Sequence, residues 1–511
     1  MALHRKIAAV GQKTSTVGRP VFLDKTQGPT KIAGRTEAQP PPCQSGRRFQ
    51  FFSLTGQEIS IATPIFYDTS TAVGRRVHII TFGCQMNGRD SEAMAAALEN
   101  DGHRIVDDEA EADLVVVNTC SVREGAETRA LGRLRQLVGQ KRRRCGLLVG
   151  VAGCMAQRLG AVLFSLVPGL DFVLGTGQLD RIAAVLHRLE AGERQIVCAE
   201  PRNFLPKMRR RHGRPSAEVA ISTGCPMACT YCIVPQTRGR GACRPMDDVV
   251  GEVKLLAEGG TREVVLLGQI VNFYGLRQLP TIGGKSPFVQ LLERIHSVAG
   301  IERIRFLSPH PCGFREDLLR CFRDLPKLCH AVHLPLQSGS NRILRSMRRG
   351  YTKEMALSLL HRLREDYPEM SLSTDLIVGF PGEEDADFRE TEQLFSEIDF
   401  DMAYIFRYSS RSGTPAAAME NQISHGTAAE RQQILLQKLA ETSLRRNRLF
   451  LNRTLPVLVE QFSPKNPRIA IGHSFHGKKV FFPAHGRLLG KMVSVRVDRA
   501  GVGFLGGVEE T

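Results

Sequence analysis

The chain has 511 residues, 42% of them hydrophobic and 24% charged, which predicts two to four well-packed domains. No apolar run is long enough to cross a bilayer, so the composition does not indicate a membrane protein. Lys and Arg outnumber Asp and Glu by 69 to 52, for a net charge of +17, which favours a polyanionic partner but also fits a solubilising surface charge.

The first segment, residues 1–74, is predicted to be a low-order basic leader. It contains a run of three prolines at 40–42 and little hydrophobic periodicity, so it buries little apolar surface. A mitochondrial leader, a dispensable extension and a misassigned start all fit this composition. We therefore expect a cytoplasmic protein, or a mitochondrial one if residues 1–74 are a leader.

A repeated unit begins at Val77 and defines a predicted domain over residues 75–200. Three apolar strand-like runs each end in a short loop with one cysteine, at Cys84, Cys120 and Cys154, and a helix-like stretch follows each loop. This pattern predicts a parallel α/β sheet. Ligand sites of such sheets lie beyond the carboxyl ends of the strands, so the three cysteines are expected to meet there.

Residues 211–445 alternate six strand-like with six helix-like segments. Six units are too few for a closed eight-stranded barrel, so we predict an open (βα)6 partial barrel with its site at the strand carboxyl ends. The predicted strands are 219–223, 264–268, 304–308, 331–336, 372–379 and 403–408. The predicted helices are 247–258, 287–298, 314–322, 341–347, 353–366 and 386–398.

The last domain, residues 446–511, is predicted to be a small all-β barrel. Its strand-like segments are 455–461, 469–473, 479–482 and 491–497, separated by turns. Barrels of this size often hold nucleic acid, although a solubility cap would have the same pattern.

Thirteen cysteines in so long a chain indicate a reduced protein with metal or cluster ligands rather than a disulfide framework. Cys225, Cys229 and Cys232 follow a strand within eight residues, a spacing that lets three thiolates hold a [4Fe–4S] cluster and leave one iron open. Zinc normally takes CxxC pairs, and buried packing thiols are the remaining alternative. The distributed triad predicts a second cluster, with packing again as the alternative.

These patterns resemble a known family. A Cx3Cx2C segment opening a (βα)6 pattern resembles the radical S-adenosylmethionine superfamily. The flanking segments narrow the resemblance to the methylthiotransferases and, within them, to the MiaB family with its terminal TRAM domain. They are Thr-Phe-Gly-Cys84-Gln-Met-Asn, Asn-Thr-Cys120-Ser-Val-Arg, Gly-Cys154-Met-Ala-Gln, Thr-Arg238-Gly-Arg240, Leu-Pro-Leu-Gln337-Ser-Gly and Gly379-Phe-Pro-Gly382-Glu383.

The resemblance implies an enzyme that methylthiolates carbon 2 of N6-isopentenyladenosine next to the anticodon of tRNA, at position thirty-seven. It implies two [4Fe–4S] clusters and S-adenosylmethionine, with Cys225, Cys229 and Cys232 at the cluster that generates the radical. Cys84, Cys120 and Cys154 would hold the auxiliary, sulfur-carrying cluster. The expected partners are tRNA, S-adenosylmethionine, an electron donor and a sulfur source, with no membrane and a monomeric chain.

The sequence leaves other substrates and other classes of protein possible. A methylthiotransferase could instead act on threonylcarbamoyl-adenosine in tRNA or on a ribosomal-protein aspartate. A non-catalytic iron–sulfur regulator that binds RNA is a runner-up of a different class, and a zinc protein is a third. Two departures from the family pattern, Ile270 and Pro309, fall at the ends of barrel strands and bear on the substrate.

Other residues are candidates for binding the cofactor or RNA because of their positions in the predicted fold. Cofactor contacts are expected at strand ends, at Gly379, Gly382, Glu383, Gln269 and Gln337, although the glycine segment also fits a plain strand-to-helix turn. RNA phosphate contacts are expected at Arg238, Arg240, Arg348, Arg349, Lys478 and Lys479, against a merely solvated charged face. Phe475, Phe481 and Phe482 are candidate stacking faces or core residues.

Overall fold

A computed structural model describes residues 74–121, 124–200, 214–484 and 486–510. The predicted leader therefore lies outside the described residues, apart from Gly74. Within the described ranges, no helix has both the length and the apolar character needed to cross a membrane.

The first sheet has six parallel strands in the order β2-β1-β3-β4-β5-β6. They are β1 (Arg76–Thr81), β2 (Arg104–Ile105), β3 (Leu114–Thr119), β4 (Leu148–Gly153), β5 (Phe172–Gly175) and β6 (Ile196–Cys198). The helices are α1 (Gln85–Asn100), α2 (Glu124–Gln140), α3 (Cys154–Leu159), α4 (Val162–Leu166) and α5 (Ile182–Glu190).

Helices cover both faces of this sheet. Met94 of α1 and Leu186 of α5 pack on one face, and Leu134 of α2 and Leu163 of α4 pack on the other. All six residues of β3 are consequently buried, as expected for a central parallel strand. The three cysteine-bearing units of the sequence are β1, β3 and β4, which lie side by side, so their loops share one edge.

The central domain contains six parallel barrel strands in two three-stranded sheets, ordered β11-β10-β7 and β12-β13-β14. They are β7 (Ser216–Ala220), β10 (Glu263–Leu267), β11 (Arg303–Phe306), β12 (Ala331–His333), β13 (Ser371–Val378) and β14 (Met402–Arg407); a small ribbon pairs β8 (Ser222–Thr223) with β9 (Ala242–Cys243). The helices are α6 (Val234–Arg238), α7 (Met246–Glu258), α8 (Pro287–His296), α9 (Glu316–Asp324), α10 (Asn341–Ser346), α11 (Lys353–Asp366), α12 (Asp385–Glu397) and α13 (His425–Arg448).

The two sheets share one continuous hydrophobic core, while β7 and β14 stand at the outer ends without a strand pairing between them. The fold is therefore an open partial barrel, which confirms the predicted fold class. All six predicted strands and all six predicted helices are present, with ends shifted by a few residues.

The last module is a closed five-stranded barrel in the order β15-β16-β17-β19-β18. Its strands are β15 (Thr454–Ser463), β16 (Asn466–Ser474), β17 (Lys479–Pro483), β18 (Met492–Gly501) and β19 (Phe504–Glu509). The sequence predicted only four of them. Strand β19 has two adjacent glycines and no alternating pattern, yet it closes the barrel by pairing with both β17 and β18.

Candidate active site

Cys84, Cys120 and Cys154 come together at the carboxyl edge of the first sheet. Gly83 allows this approach, because a side chain there would begin 2.5 Å from Cβ of Cys120, and its φ of +128° is one that other residues rarely adopt. A hydrogen bond with Cys120, assisted by the charge of Arg238 and by backbone N–H groups, lowers the pKa of the Cys84 thiol to about 6. Burial instead raises the pKa of Cys154, with Arg238 opposing that shift.

A cation from the central domain lies behind this triad. Arg238, at the end of α6, donates a hydrogen bond to Asp90 at 2.6 Å and another to the amide oxygen of Asn87 at 3.2 Å. All three side chains are buried. This corrects the prediction that Arg238 contacts RNA phosphate, since its guanidinium is enclosed and already paired. The sequence offered one sign of this role, because Asn87 and Asp90 lie three apart on one face of α1.

Cys225, Cys229 and Cys232 form a tight loop directly after β8. The backbone folds back on itself here: Cys225 donates its N–H to the Gly239 carbonyl at 3.0 Å, and a Cβ on Gly224 would lie 2.6 Å from three backbone atoms. Burial raises the pKa of Cys225 and that of Cys232, the latter to about 12. Thiols held in this way need a nearby positive charge, such as iron, to become thiolates.

Arg349 supplies positive charge next to this loop. Its guanidinium donates to the sulfur of Cys229 at 3.4 Å and to the Pro335 carbonyl at 3.1 Å, and it lies 5.4 Å from the centre of the Tyr351 ring. Arg349 is buried, which corrects its predicted role in binding RNA phosphate. The structure makes it a neighbour of the cysteine loop.

The two triads face the same space. A cavity of about 290 Å³ is lined by Cys84 and Cys154 from one triad and by Cys225, Cys229 and Cys232 from the other. It adjoins a cavity of about 1520 Å³ that is lined by Cys84, Cys120 and Cys232. Cys84 and Cys232, which the sequence separates by 148 positions, therefore line the same two cavities.

The donor set fits clusters better than single ions. Within the described ranges, no three His, Cys, Asp or Glu side chains converge closely enough to bind one metal ion. A cubane cluster holds its thiolates farther apart than one zinc ion does, so three cysteines around an open recess suit a cluster.

One polar atom in the same cavity wall has no partner among the described residues. Oε1 of Gln269 is buried and accepts no hydrogen bond from any of them, and Gln269 lines the smaller cavity. Buried polar atoms are normally paired. A polar cofactor such as S-adenosylmethionine would provide the missing partner.

The predicted cofactor residues divide into two groups. Gln269 and Gln337 line the cavity, and Gln337 has a φ of +75°, an unusual backbone state for a residue other than glycine. Gly379, Gly382 and Glu383 do not line it. Glu383 accepts hydrogen bonds from the Gly379 N–H at 2.6 Å and from Arg431 at 2.7 Å, so the structure favours the plain turn for this segment and corrects its predicted cofactor role.

The remaining predicted RNA residues also divide. Arg240 and Arg348 are exposed. Lys478 is buried, with its ammonium 2.8 Å from the Asn447 side-chain oxygen and paired with Asp401, which corrects its predicted contact with phosphate. Lys479 is half-buried and lies 5.1 Å from the centre of the Phe481 ring.

Two of the three phenylalanines proposed to stack on bases instead pack against other residues of the protein. Phe482 belongs to the core of the small barrel, and Phe475 packs against His330 with ring centres 5.1 Å apart. Phe481 is half-buried beside Phe504, at a distance of 5.7 Å. Phe504 was missed because its strand was missed.

The two departures from the family pattern are neighbours. Ile270 and Pro309 both line the smaller cavity, and the segments that carry them are joined by two hydrogen bonds of 2.9 Å between the Asn272 side chain and the His310 backbone. Both departures therefore alter the wall of the candidate active site.

Comparison with known proteins agrees with this geometry. Residues 76–175 match the uncharacterized protein family UPF0004, and residues 219–395 match the radical SAM superfamily. The chain is 45% identical to a protein of Opitutus terrae, over 84% of this chain and 97% of the relative, and 44% identical to one of Akkermansia muciniphila, over 83% and 96%. Both relatives are named tRNA-2-methylthio-N(6)-dimethylallyladenosine synthase.

Solved structures support the fold. A radical S-adenosylmethionine methyltransferase from Kitasatospora setae superposes with a TM-score of 0.52 and 17% identity, covering 67% of this chain and 74% of that one. That structure was solved with cobalamin and a [4Fe-4S] cluster bound. At this identity the likeness concerns the fold alone.

Proposed function

This chain belongs to the family of tRNA-2-methylthio-N(6)-dimethylallyladenosine synthases, radical S-adenosylmethionine enzymes, and we propose that it methylthiolates carbon 2 of N6-isopentenyladenosine beside the anticodon of tRNA. An aromatic C–H bond of this kind is beyond the reach of side-chain acids and bases. S-Adenosylmethionine and the two iron–sulfur clusters supply the radical and sulfur chemistry when they are bound.

The six cysteines have separate tasks in this proposal. Cys225, Cys229 and Cys232 would hold the cluster that works with S-adenosylmethionine. Cys84, Cys120 and Cys154 would hold the cluster that supplies the sulfur. Arg349 compensates the negative charge of the first set of thiolates, and Arg238 that of the second.

One observation carries the proposal: cysteines of both triads line the same cavity of about 290 Å³, with Cys84 and Cys154 from one triad and Cys225, Cys229 and Cys232 from the other. A regulator that only binds RNA has no need to bring two such triads together. Transfer of sulfur to a carbon atom that has just lost hydrogen does need both centres within reach of one substrate position.

Nucleoside mass spectrometry tests this function. Transfer RNA from cells lacking the gene should lose the methylthio-isopentenyl nucleoside and accumulate its isopentenyl precursor, and the wild-type gene should reverse both changes. An unchanged nucleoside profile would direct the search to threonylcarbamoyl-adenosine or the ribosomal-protein aspartate.

Single cysteine variants distinguish the roles of the two triads. Cys229→Ala should abolish cleavage of S-adenosylmethionine by the purified protein, whereas Cys154→Ala should keep cleavage and lose methylthiolation. Cys145→Ala is the matched control, because Cys145 is exposed and outside both cavities. Methylthiolated tRNA from the Cys154→Ala protein would contradict the role of the auxiliary triad.

The proposal includes a monomeric cytoplasmic enzyme that works with a one-electron donor and a sulfur source. Size-exclusion chromatography with light scattering tests the first part. Fractionated extract, added to a tRNA assay that lacks an artificial reductant, identifies the donor.

A further inference from the structure

An apolar stripe runs along β14, the last strand of the partial barrel. Ala403 and Ile405 point into the core, so the alternate side chains Met402, Tyr404 and Phe406 face the larger cavity. Tyr404 is 49% exposed and Met402 is 37% exposed. Large apolar side chains at the free edge of a sheet, in the wall of an active-site cavity, suggest a binding surface.

The two rings of the stripe are held in one orientation. Tyr404 and Phe406 have ring centres 6.5 Å apart and planes only 13° from parallel. The Tyr404 ring also meets the edge of His333, at 5.8 Å. Parallel rings at alternate positions of a β-strand offer flat faces on which consecutive bases of single-stranded RNA can stack.

The stripe continues onto the small barrel. A Cβ on Gly503 would lie 3.7 Å from Cε of Met402, so the turn between β18 and β19 touches the start of β14. The next residue, Phe504, is 43% exposed and lines the same cavity. Met402, Tyr404, Phe406 and Phe504 are called the aromatic track below.

The charges beside the aromatic track suit a phosphate backbone. Arg407 and Lys479 line the same cavity, and neither forms an ion pair with any carboxylate in the part of the chain that the structure describes. Four of the five carboxylates that line this cavity have basic partners of their own. Glu92 pairs with Arg89 at 3.0 Å and Asp401 with Lys478, while Asp375 and Glu460 lie 3.4 Å and 2.8 Å from the imidazoles of His333 and His473. The fifth is Glu218.

We propose that the aromatic track binds the unpaired nucleotides that flank the target adenosine, by stacking their bases while Arg407 and Lys479 contact the phosphates. The inference rests on the proposed function, because it assumes an RNA-loop substrate. Strand β14 has six residues and so spans roughly 20 Å. Aromatic faces next to cations are how proteins hold unpaired RNA, whereas an apolar peptide would leave the two cations unused.

The test measures binding of an anticodon stem-loop RNA that carries N6-isopentenyladenosine, by fluorescence anisotropy with the cluster-loaded protein. Stacking is worth about 1–3 kcal/mol per base, so Tyr404→Ala and Phe504→Ala should each weaken binding by roughly 5- to 150-fold. Tyr404→Phe keeps the ring and should bind like the wild type. Leu489→Ala is the matched control, since Leu489 is 54% exposed on the same small barrel but lies outside the cavity.

A second RNA makes the result specific to stacking. When the flanking nucleotides lack their bases, the wild type should bind as weakly as the double variant Tyr404→Ala, Phe504→Ala binds the intact RNA, and the double variant should lose nothing further. Unchanged affinity of both alanine variants for the intact RNA, with normal iron content, would overturn the aromatic track and leave the enzyme assignment standing. A wild-type protein that neither binds nor modifies this RNA would instead overturn the proposed function.

Discussion

Arg238 donates a hydrogen bond to Asp90 at 2.6 Å and thereby joins α6 of the partial barrel to α1 of the first sheet, across 148 residues of sequence. Each side chain is only 5% exposed, and the cysteines of the auxiliary triad lie close by: Arg238 lowers the pKa of Cys84 and opposes the rise at Cys154. Because α6 follows Cys232 directly, the same short segment carries a thiolate of one triad and the cation of the other.

Arg238→Met should destabilise the protein and selectively impair the auxiliary cluster. Removing one partner of a buried pair costs about 3–5 kcal/mol, since the other charge stays behind. We expect the iron content of anaerobically reconstituted protein to fall from about eight atoms per chain towards about four, as one cubane is lost. Urea denaturation and iron analysis measure the two effects.

Arg244→Met is the matched control for this prediction. Arg244 pairs with Glu252 at 2.6 Å, and both side chains are 3% exposed, but Arg244 does not line the cysteine cavities. Glu252 keeps a second partner in Arg89 at 2.7 Å, so Arg244→Met should lose no more stability than Arg238→Met, and it should keep its iron. Equal iron loss in the two variants would mean that Arg238 acts only through folding.

Arg349→Met should lower the reduction potential of the cluster on the Cys225–Cys232 loop. The wild-type guanidinium donates to the Cys229 sulfur, and a charged hydrogen bond of about 1.5–3 kcal/mol that favours the more negative, reduced state corresponds to roughly 65–130 mV. Titration followed by electron paramagnetic resonance, in a Cys154→Ala background, measures this shift. Arg348→Met is the control because its side chain is exposed, and a potential that moves equally in both variants would contradict the role of Arg349.

Much of the site could be predicted because chain order encodes it. The cysteines of the auxiliary triad follow β1, β3 and β4, which are adjacent parallel strands. Their position at the carboxyl ends of these strands is enough to predict that they come together. Gln269 and Gln337 were found in the same way. This logic locates a loop but does not say which of its residues turn inwards.

The wrong predictions concerned buried cations, a glycine-rich segment and one strand of the small barrel. Arg238, Arg349 and Lys478 looked like surface cations because the sequence does not show the distant groups that enclose them, such as Asp90 or Asp401. The Gly379 segment resembled a cofactor loop, yet Gly379 itself lies where α13 passes close to the backbone, 2.6 Å from Cβ of Ala428 for an added Cβ. Strand β19 was missed because its place is fixed by closing the barrel rather than by its own pattern.

Gly379→Ala should be clearly more destabilising than Gly382→Ala. Both positions have positive φ, +73° and +79°, so both substitutions carry a backbone penalty of about 1–2 kcal/mol. Only at Gly379 would the new Cβ clash, 2.6 Å from Cβ of Ala428 in α13, whereas Gly382 has open space. Overpacking adds about 1–3 kcal/mol, measurable by urea denaturation.

A helix substitution completes the Gly379 comparison. Ala428→Gly removes the atom that Gly379→Ala would meet, so the double variant should lose less stability than the two single changes add up to. Strictly additive losses would show that contact with α13 does not explain the glycine. Full cofactor binding by Gly379→Ala would agree with the structural role of the turn.

His476 should make the enzyme less stable in mild acid. Its imidazole is 13% exposed and lies between the small barrel and the partial barrel, where it faces Glu369, His330, Arg453 and Lys478. Burial lowers the pKa of His476 from 6.5 to about 4, although Glu369 pulls it upwards. The folded state therefore keeps the ring neutral at pH values where the unfolded chain protonates it.

The sign and size of this effect follow from proton binding. Above pH 6.5 both states are neutral at His476 and the residue gives no pH dependence. As the pH falls to 5, only the unfolded state takes up the proton, so the fold loses about 2 kcal/mol, with further loss down to pH 4. His476→Gln should recover about that amount of the difference in unfolding free energy between pH 7 and pH 5, whereas His361→Gln, at an exposed position on α11, should recover none. An acid sensitivity that is the same in the wild type and in His476→Gln would show that other groups, such as the buried His310, account for it.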